Sequence, residues 1–323
     1  MYALSKTRIE SNIAQALIDA HFGKGVEIRN FIELTDGMYN AAYLIELSDD
    51  QKLVLKIAPA DHIKVLRYEK EIMRAEVDVL RLIHAQTEVP VPEVFAYDTS
   101  RQLIDHDYFL MSFVPGTGLH KLRAQLSAQE QQSIDFGIGE YLRQINQIQG
   151  PAFGYFAQPD RHFSAWREAF SSMLTDLLQD GVEAGVDLGV DPVDLLARLQ
   201  PFLPLLDDVK IPSLVHWDCW DGNIFVDQQT QIITGILDCE RALWGDPLME
   251  VNFGAFGVQP ALVRGYGVDL LTQPGGKERR ALYNIYLWLV MIIECTYRRY
   301  ETQDQENWAR MKLIEELQIL QSL

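Results

Sequence analysis

The chain has 323 residues, 48% of them hydrophobic and 23% charged, with a formal net charge of −18. This composition describes a globular chain long enough for two units with cores of their own, and it excludes a disordered or fibrous one. Residues 151–250 carry 17 acids and 5 bases, −12 of the total, a field that repels nucleic acid and anionic membrane and attracts Mg²⁺ or a cationic small molecule.

The start, MYALSKTRIESNIAQAL, lacks the basic flank and continuous apolar core of a signal peptide. The longest apolar stretch, IYLWLVMII at 285–293, is too short to span a bilayer. Cys219, Cys239 and Cys295 share no metal-ligand spacing and cannot all pair. A cytoplasmic location is expected.

Taken in chain order, Thr7 to Gly23 reads as a helix opened by a Thr7-x-x-Glu10 capping box. VEIRNFIEL (26–34), YNAAYLIEL (39–47) and KLVLKI (52–57) are rich in β-branched and aromatic residues, with turns at TDGM and SDDQ. They predict an antiparallel meander. An amphipathic helix follows over Ile63–Ala85, broken by VPVPEV, and two further strands (94–98 and 107–113) lead into the turn PGTG at 115–118. Helices dominate from there: Ser127–Ile148 with a Ser127-x-x-Glu130 box, Ser164–Glu183, and a third opened by Asp191-Pro192. The chain therefore divides into an N-terminal unit, 1–113, of sheet and helix, and a mainly helical C-terminal unit, 114–323.

One segment interrupts the helical half. HWDCWDGNIFV (216–226) places two aspartates, a histidine and an asparagine between the apolar runs Leu214-Val215 and Ile224-Phe225-Val226. A buried strand does not carry carboxylates without a partner for the charge. The strands NIFVD (223–227) and ITGILD (233–238) form a pair across a polar turn, which can draw Asp218, Asn223 and Asp238 together. Two carboxylates and an amide oxygen are hard ligands suited to Mg²⁺ that also holds phosphate. The spacing His216-x-Asp218-x-x-x-x-Asn223, with Asp238 fifteen residues later, is the order in which kinases place a base and two metal ligands. Lys56 in LVLKIAP occupies the third strand, where such folds offer a lysine to nucleotide phosphates.

The chain resembles the aminoglycoside phosphotransferase and choline kinase-like family of small-molecule kinases. The likeness runs in order through DGMYNAAY (36–43), LVLKIAP, RAEVDVLRLI (74–83), YFLMSFVPG (108–116), LVHWDCWDGNIFV and GILDCERALWGDP (235–247). It implies an α+β, bilobal protein-kinase-like fold and transfer of a phosphoryl group from ATP or GTP, with Mg²⁺, to the hydroxyl of a small cationic, aminoglycoside-like acceptor. By the same resemblance Asp218 is the catalytic base, and Asn223 and Asp238 hold Mg²⁺. Lys56 binds nucleotide phosphates and Glu76 pairs with Lys56. Gly37, Tyr39 and Asn40 cover the phosphates, the hinge at Ser112, Phe113 and Val114 holds the base, and His216 braces the loop.

Three departures from the protein-kinase pattern stand out. The turn at 36–43 lacks GxGxxG, Trp217 and Trp220 replace loop cations, and Cys239 follows the metal aspartate. HWDCWDGN is also similar to the HxDxWxGN loop of fructosamine kinases, so ketosamines and amino-alcohols are alternative acceptors. Asp176, Asp180, Glu183, Glu240 and Glu294 are candidate contacts for a cationic acceptor. A non-catalytic nucleotide-binding regulator and a metal-dependent hydrolase are the alternatives outside this class.

Overall fold

The computed structural model describes residues 6–35, 37, 39–300 and 302–323. Asp36 and Met38 of the expected phosphate-covering turn therefore lie outside the described residues. The chain forms two compact units. One comprises residues 1–64, 92–114 and 298–301, the other residues 65–91, 115–297 and 302–323.

The first unit is built on a five-stranded antiparallel sheet. Its strands are β1 (Ile28–Leu34), β2 (Ala41–Leu47), β3 (Lys52–Ile57), β4 (Val94–Asp98) and β5 (Tyr108–Ser112), in the order β1-β2-β3-β5-β4. Alternation along β3 sends Leu53, Leu55 and Ile57 into a core shared with Tyr43, Ile45, Leu110 and three residues of α1 (Ser11–Phe22), namely Ala14, Leu17 and Ile18. Lys56 falls on the opposite face. It stands in register between Ala42 of β2 and Phe109 of β5, with its Nζ 5.9 Å from the Phe109 ring centre.

Two helix starts differ from the sequence reading. α1 begins at Ser11, because the Thr7 hydroxyl donates to the Ala58 carbonyl, a strand-flanking partner 51 residues away, rather than capping a helix. The helix expected from Ile63 begins only at Ile72. Glu71 has a left-handed backbone, φ 61°, that no continuous α-helix accepts, and a short 3₁₀ turn at Arg67–Glu69 precedes it.

The helix α2 (Ile72–Gln86) also belongs to the second unit, not to the sheet unit. Its buried stripe, including Ala75, Glu76, Val79, Leu80 and Ile83, packs against the turn at Cys239–Arg241. The boundary expected at 113/114 is thus not a single cut. Residues 65–91 go with the C-terminal unit and 298–301 with the sheet.

The second unit is mainly helical: α3 (Leu119–Leu122), α4 (Ala128–Gln147), α5 (Trp166–Glu183), α6 (Pro192–Leu199), α7 (Pro260–Tyr266), α8 (Gly276–Arg298) and α9 (Asp304–Ser322). Two predicted helix starts hold. Ser127 accepts from the Glu130 N–H while Glu130 reaches back to the Ser127 N–H, and Asp191 accepts from the N–H groups of Val193 and Asp194. Small sheets carry the polar motif. β6 (Thr117–Gly118), β9 (Ile224–Val226) and β10 (Ile233–Ile236) form one, and β7 (Gly154–Tyr155), β8 (Ser213–Val215) and β11 (Leu243–Gly245) the other. Among the described residues no helix is long and apolar enough to cross a membrane.

Candidate active site

The polar loop leaves β8 at His216 and enters β9 at Ile224. Its first half is hung on a buried carboxylate. Glu250, fully buried, accepts from the backbone N–H of His216 at 2.8 Å and of Trp217 at 2.9 Å, and from the Asn146 amide at 3.0 Å. These bonds hold Trp217 in a left-handed conformation, φ 63°, which is unfavourable for a bulky residue and which turns the chain so that Asp218 follows.

His216 is itself fully buried. Its Nε2–H donates to the Leu237 carbonyl at 3.0 Å and its Nδ1 accepts from the Asp218 N–H at 3.3 Å. One donor and one acceptor define a neutral ring, and burial, the largest cause, lowers its pKa to about 4. His216 braces the loop as expected and is not placed to exchange protons near neutral pH.

The second half of the loop is a tight turn. The Trp220 N–H donates to the Asp218 carbonyl, the Asn223 N–H to the Trp220 carbonyl, and the Asn223 side-chain amide to the Asp218 carbonyl at 2.9 Å. Because Nδ2 is committed in this way, Oδ1 is the atom Asn223 can offer a cation. A Cβ on Gly222 would fall 2.2 Å from the Trp220 ring, so a larger residue here would make that exposed ring move. The Leu237 N–H donates to the Asn223 carbonyl at 2.9 Å, which seats Asn223 beside the residue preceding Asp238. Asp238, at φ 67°, then starts the Cys239–Arg241 turn.

This frame brings Asp218, Asn223 and Asp238 onto one loop and hairpin. It also adds carboxylates that the sequence reading placed elsewhere. Oxygens of Glu76 on α2, Asp238 and Glu240 all lie within 4.8 Å of one another, with Glu76 and Glu240 buried. Carboxylates at that spacing repel unless a cation offsets them. The three carboxylates are hard oxygen donors of the kind that fits Mg²⁺.

Asp218 sits in a charged surrounding. Burial, the largest cause, raises its carboxyl to about 7, with Arg241 opposing and Asp238 and Glu294 adding to the rise. Arg241 bonds Glu294 at 2.8 Å and lies 5.9 Å from the Tyr68 ring centre. It supplies a cation near Asp218 that Trp217 and Trp220 do not. Trp217 is a packed residue, stacked on Tyr286 at 5.6 Å, whereas Trp220 is 40% exposed.

The remaining predicted site residues lie in the sheet unit: Lys56, Gly37, Tyr39, Asn40, Ser112, Phe113 and Val114. Tyr39 lies under the Arg298 guanidinium, 4.5 Å from its ring centre, and Asn40 is buried. The Ser112 N–H donates to Glu93 and the Phe113 N–H to Lys52, which leaves the Val114 N–H as the backbone donor of the three.

The acids expected to face a cationic acceptor are largely engaged within the chain. Arg161 pairs with Asp176 at 2.5 Å, Arg67 with both Asp180 and Glu183, and Arg241 with Glu294. Glu240 belongs to the carboxylate cluster. Sequence reasoning missed Glu250 and Arg241. Glu250 carried a usable signal, a lone carboxylate within the apolar run LMEV; Arg241 carried none.

The fold and this loop define the protein-kinase-like class of phosphotransferases. The phosphotransferase enzyme family matches residues 30–283, and the chain belongs to that family. That family is one of phosphotransferase enzymes.

The aminoglycoside phosphotransferase APH(4)-Ia superposes over 95% of this chain and 98% of its own, with TM-score 0.67 and 17% identity. A protein of Thermobifida fusca assigned as a fructosamine-3-kinase covers 98% and 100%, with TM-score 0.67 and 19% identity. Among curated proteins, the "probable ketoamine kinase VP1481" of Vibrio parahaemolyticus is 23% identical over 80% of this chain and 85% of its own. A subtelomeric hrmA-associated cluster protein of Aspergillus fumigatus is 29% identical over 38% of this chain, a stretch that spans only 23% of that longer protein.

Proposed function

We propose that the protein transfers the γ-phosphoryl group of ATP to a hydroxyl of a small ketosamine-type acceptor. The observation that carries this reading is the single frame holding Asp218, Asn223 and Asp238, closed by the bonds from Leu237 to Asn223 and from His216 to Leu237. Asp218 orients the acceptor hydroxyl and takes its proton. A carboxyl raised to about 7 is matched to that task near neutral pH. Asn223 and Asp238, with Glu76 or Glu240 beside them, would hold Mg²⁺, which when bound neutralises phosphate charge. Lys56 binds the nucleotide phosphates, Gly37, Tyr39 and Asn40 cover them, and the Val114 N–H meets the base.

Two things favour a ketosamine over a polycationic aminoglycoside. Relatives that match over most of their length bear ketoamine kinase names. The α5 acids that a polyamine would need are already neutralised by Arg67 and Arg161. The test is ADP release from Mg²⁺-ATP across ketosamines, aminoglycosides and amino-alcohols, run beside Asp218→Asn. Release should depend on a ketosamine and fall about a hundredfold or more in the variant, the scale of losing a positioned base. Release with aminoglycosides alone would overturn the acceptor assignment. Nucleotide binding without turnover on any acceptor would favour a regulatory binder.

A further inference from the structure

The first half of the loop hangs on Glu250; the second half, which carries Asn223, has a separate support. Arg123, just after α3, donates from Nε and Nη2 to both carboxylate oxygens of Asp221, and from Nη1 to Asp135 of α4 at 2.9 Å. The backbone closes the same contact, with the His120 N–H donating to the Asp221 carbonyl at 3.1 Å. Asp135 is buried, and burial raises its pKa against the pull of Arg123. One guanidinium thus bridges the loop to α4, and its planar fork fixes Asp221 in angle as well as distance.

We propose that Arg123 is a positioning residue for the metal: by clamping Asp221 it fixes the Trp220–Asn223 turn and so aims the Asn223 Oδ1 at the cation. This rests on the reading of Asn223 and Asp238 as metal ligands. Both Asp221 oxygens are taken by Arg123, so Asp221 acts as the clamp's grip on the loop and not as a ligand. Outer partners of this kind set ligand direction, and their loss typically weakens metal binding about 10–100-fold.

The experiment is Mn²⁺ binding to the full chain in the presence of ADP, followed by the paramagnetic signal of free Mn²⁺. It compares wild type with Arg123→Met, Arg123→Lys and Asp221→Asn, and metal-free ADP affinity is measured alongside. Arg123→Met should bind Mn²⁺ about tenfold or more weakly with ADP affinity unchanged. Arg123→Lys, which keeps the charge but not the fork, should fall between. If Arg123→Met does not fold, Asp221→Asn decides, because it leaves the Arg123–Asp135 pair intact; it should also weaken Mn²⁺ binding. Wild-type Mn²⁺ affinity in a folded Arg123→Met or Asp221→Asn would overturn the clamp. Tighter binding in Arg123→Met would overturn it too, by showing that a released Asp221 ligates. No Mn²⁺ uptake by the wild type itself would instead overturn the metal-ligand reading on which the clamp depends.

Discussion

The sheet of the first unit and the loop frame of the second are held by different physics. In the sheet, the side chains that matter are apolar and fully buried, such as Leu53, Leu55 and Leu110, and the hydrogen bonds belong to backbone ladders. In the loop frame, the buried side chains that matter are Glu250, His216 and Asn146, each bonded to named atoms elsewhere in the chain. Apolar burial is non-directional and scales with area. A buried polar pair is directional, and removing one partner leaves the other unsatisfied. The sheet should therefore forgive a change of shape that the loop frame does not.

The largest effect should come from volume in the sheet. Leu55→Ala is expected to cost about 2–5 kcal/mol in urea unfolding, while Leu55→Met, which keeps the volume, should cost less than about 1.5 kcal/mol. Equal losses from both would mean that packing area does not hold this core. Next in size, Glu250→Ala strands the N–H groups of His216 and Trp217 and should cost about 3 kcal/mol, from two buried donors at about 1–3 kcal/mol each. Its distinguishing mark is in the site: with Trp217 released from φ 63°, turnover should fall in the protein that remains folded. A drop in stability with unchanged turnover would show that Glu250 supports the fold but does not aim Asp218.

The same contrast explains what the sequence made legible. Strands β2, β3 and β5 could be read because a run of β-branched, aromatic and other apolar residues between turns is a local property, and the Asp218, Asn223 and Asp238 set because carboxylates between apolar runs need a reason. Ser127 and Thr7 show the limit. Both present a hydroxyl three residues before a glutamate, but only Ser127 caps a helix, because Thr7 finds the Ala58 carbonyl in the folded chain. The break at Glu71 was likewise invisible to periodicity, since the residues around it keep the apolar stripe of a helix. Glu250 lies 34 residues from the N–H it holds at His216, and Arg123 lies 98 from Asp221. Their roles are set by topology, and no spacing within one element encodes them.

The smallest effect separates the two regions by pH. Burial, the largest cause, raises the Glu250 carboxyl from 4.5 to about 6 despite its donors at His216, Asn146 and Trp217 and the nearby Arg280. The folded state then holds this proton more tightly than the unfolded chain does. Its contribution to stability is fully present below about pH 4.5 and is lost as pH rises through about 6, because over that interval the folded state binds more protons. A shift of this size corresponds to about 2 kcal/mol. Other carboxylates titrate in the same range, so the quantity to measure is the stability of wild type minus that of Glu250→Gln, which has no proton to lose. That difference should fall by about 2 kcal/mol between pH 4 and pH 7, while the penalty for Leu55→Ala stays flat. A Glu250 difference that rose with pH would mean that the three donors outweigh burial, and the loop frame would then be held by an anion at ease in its site.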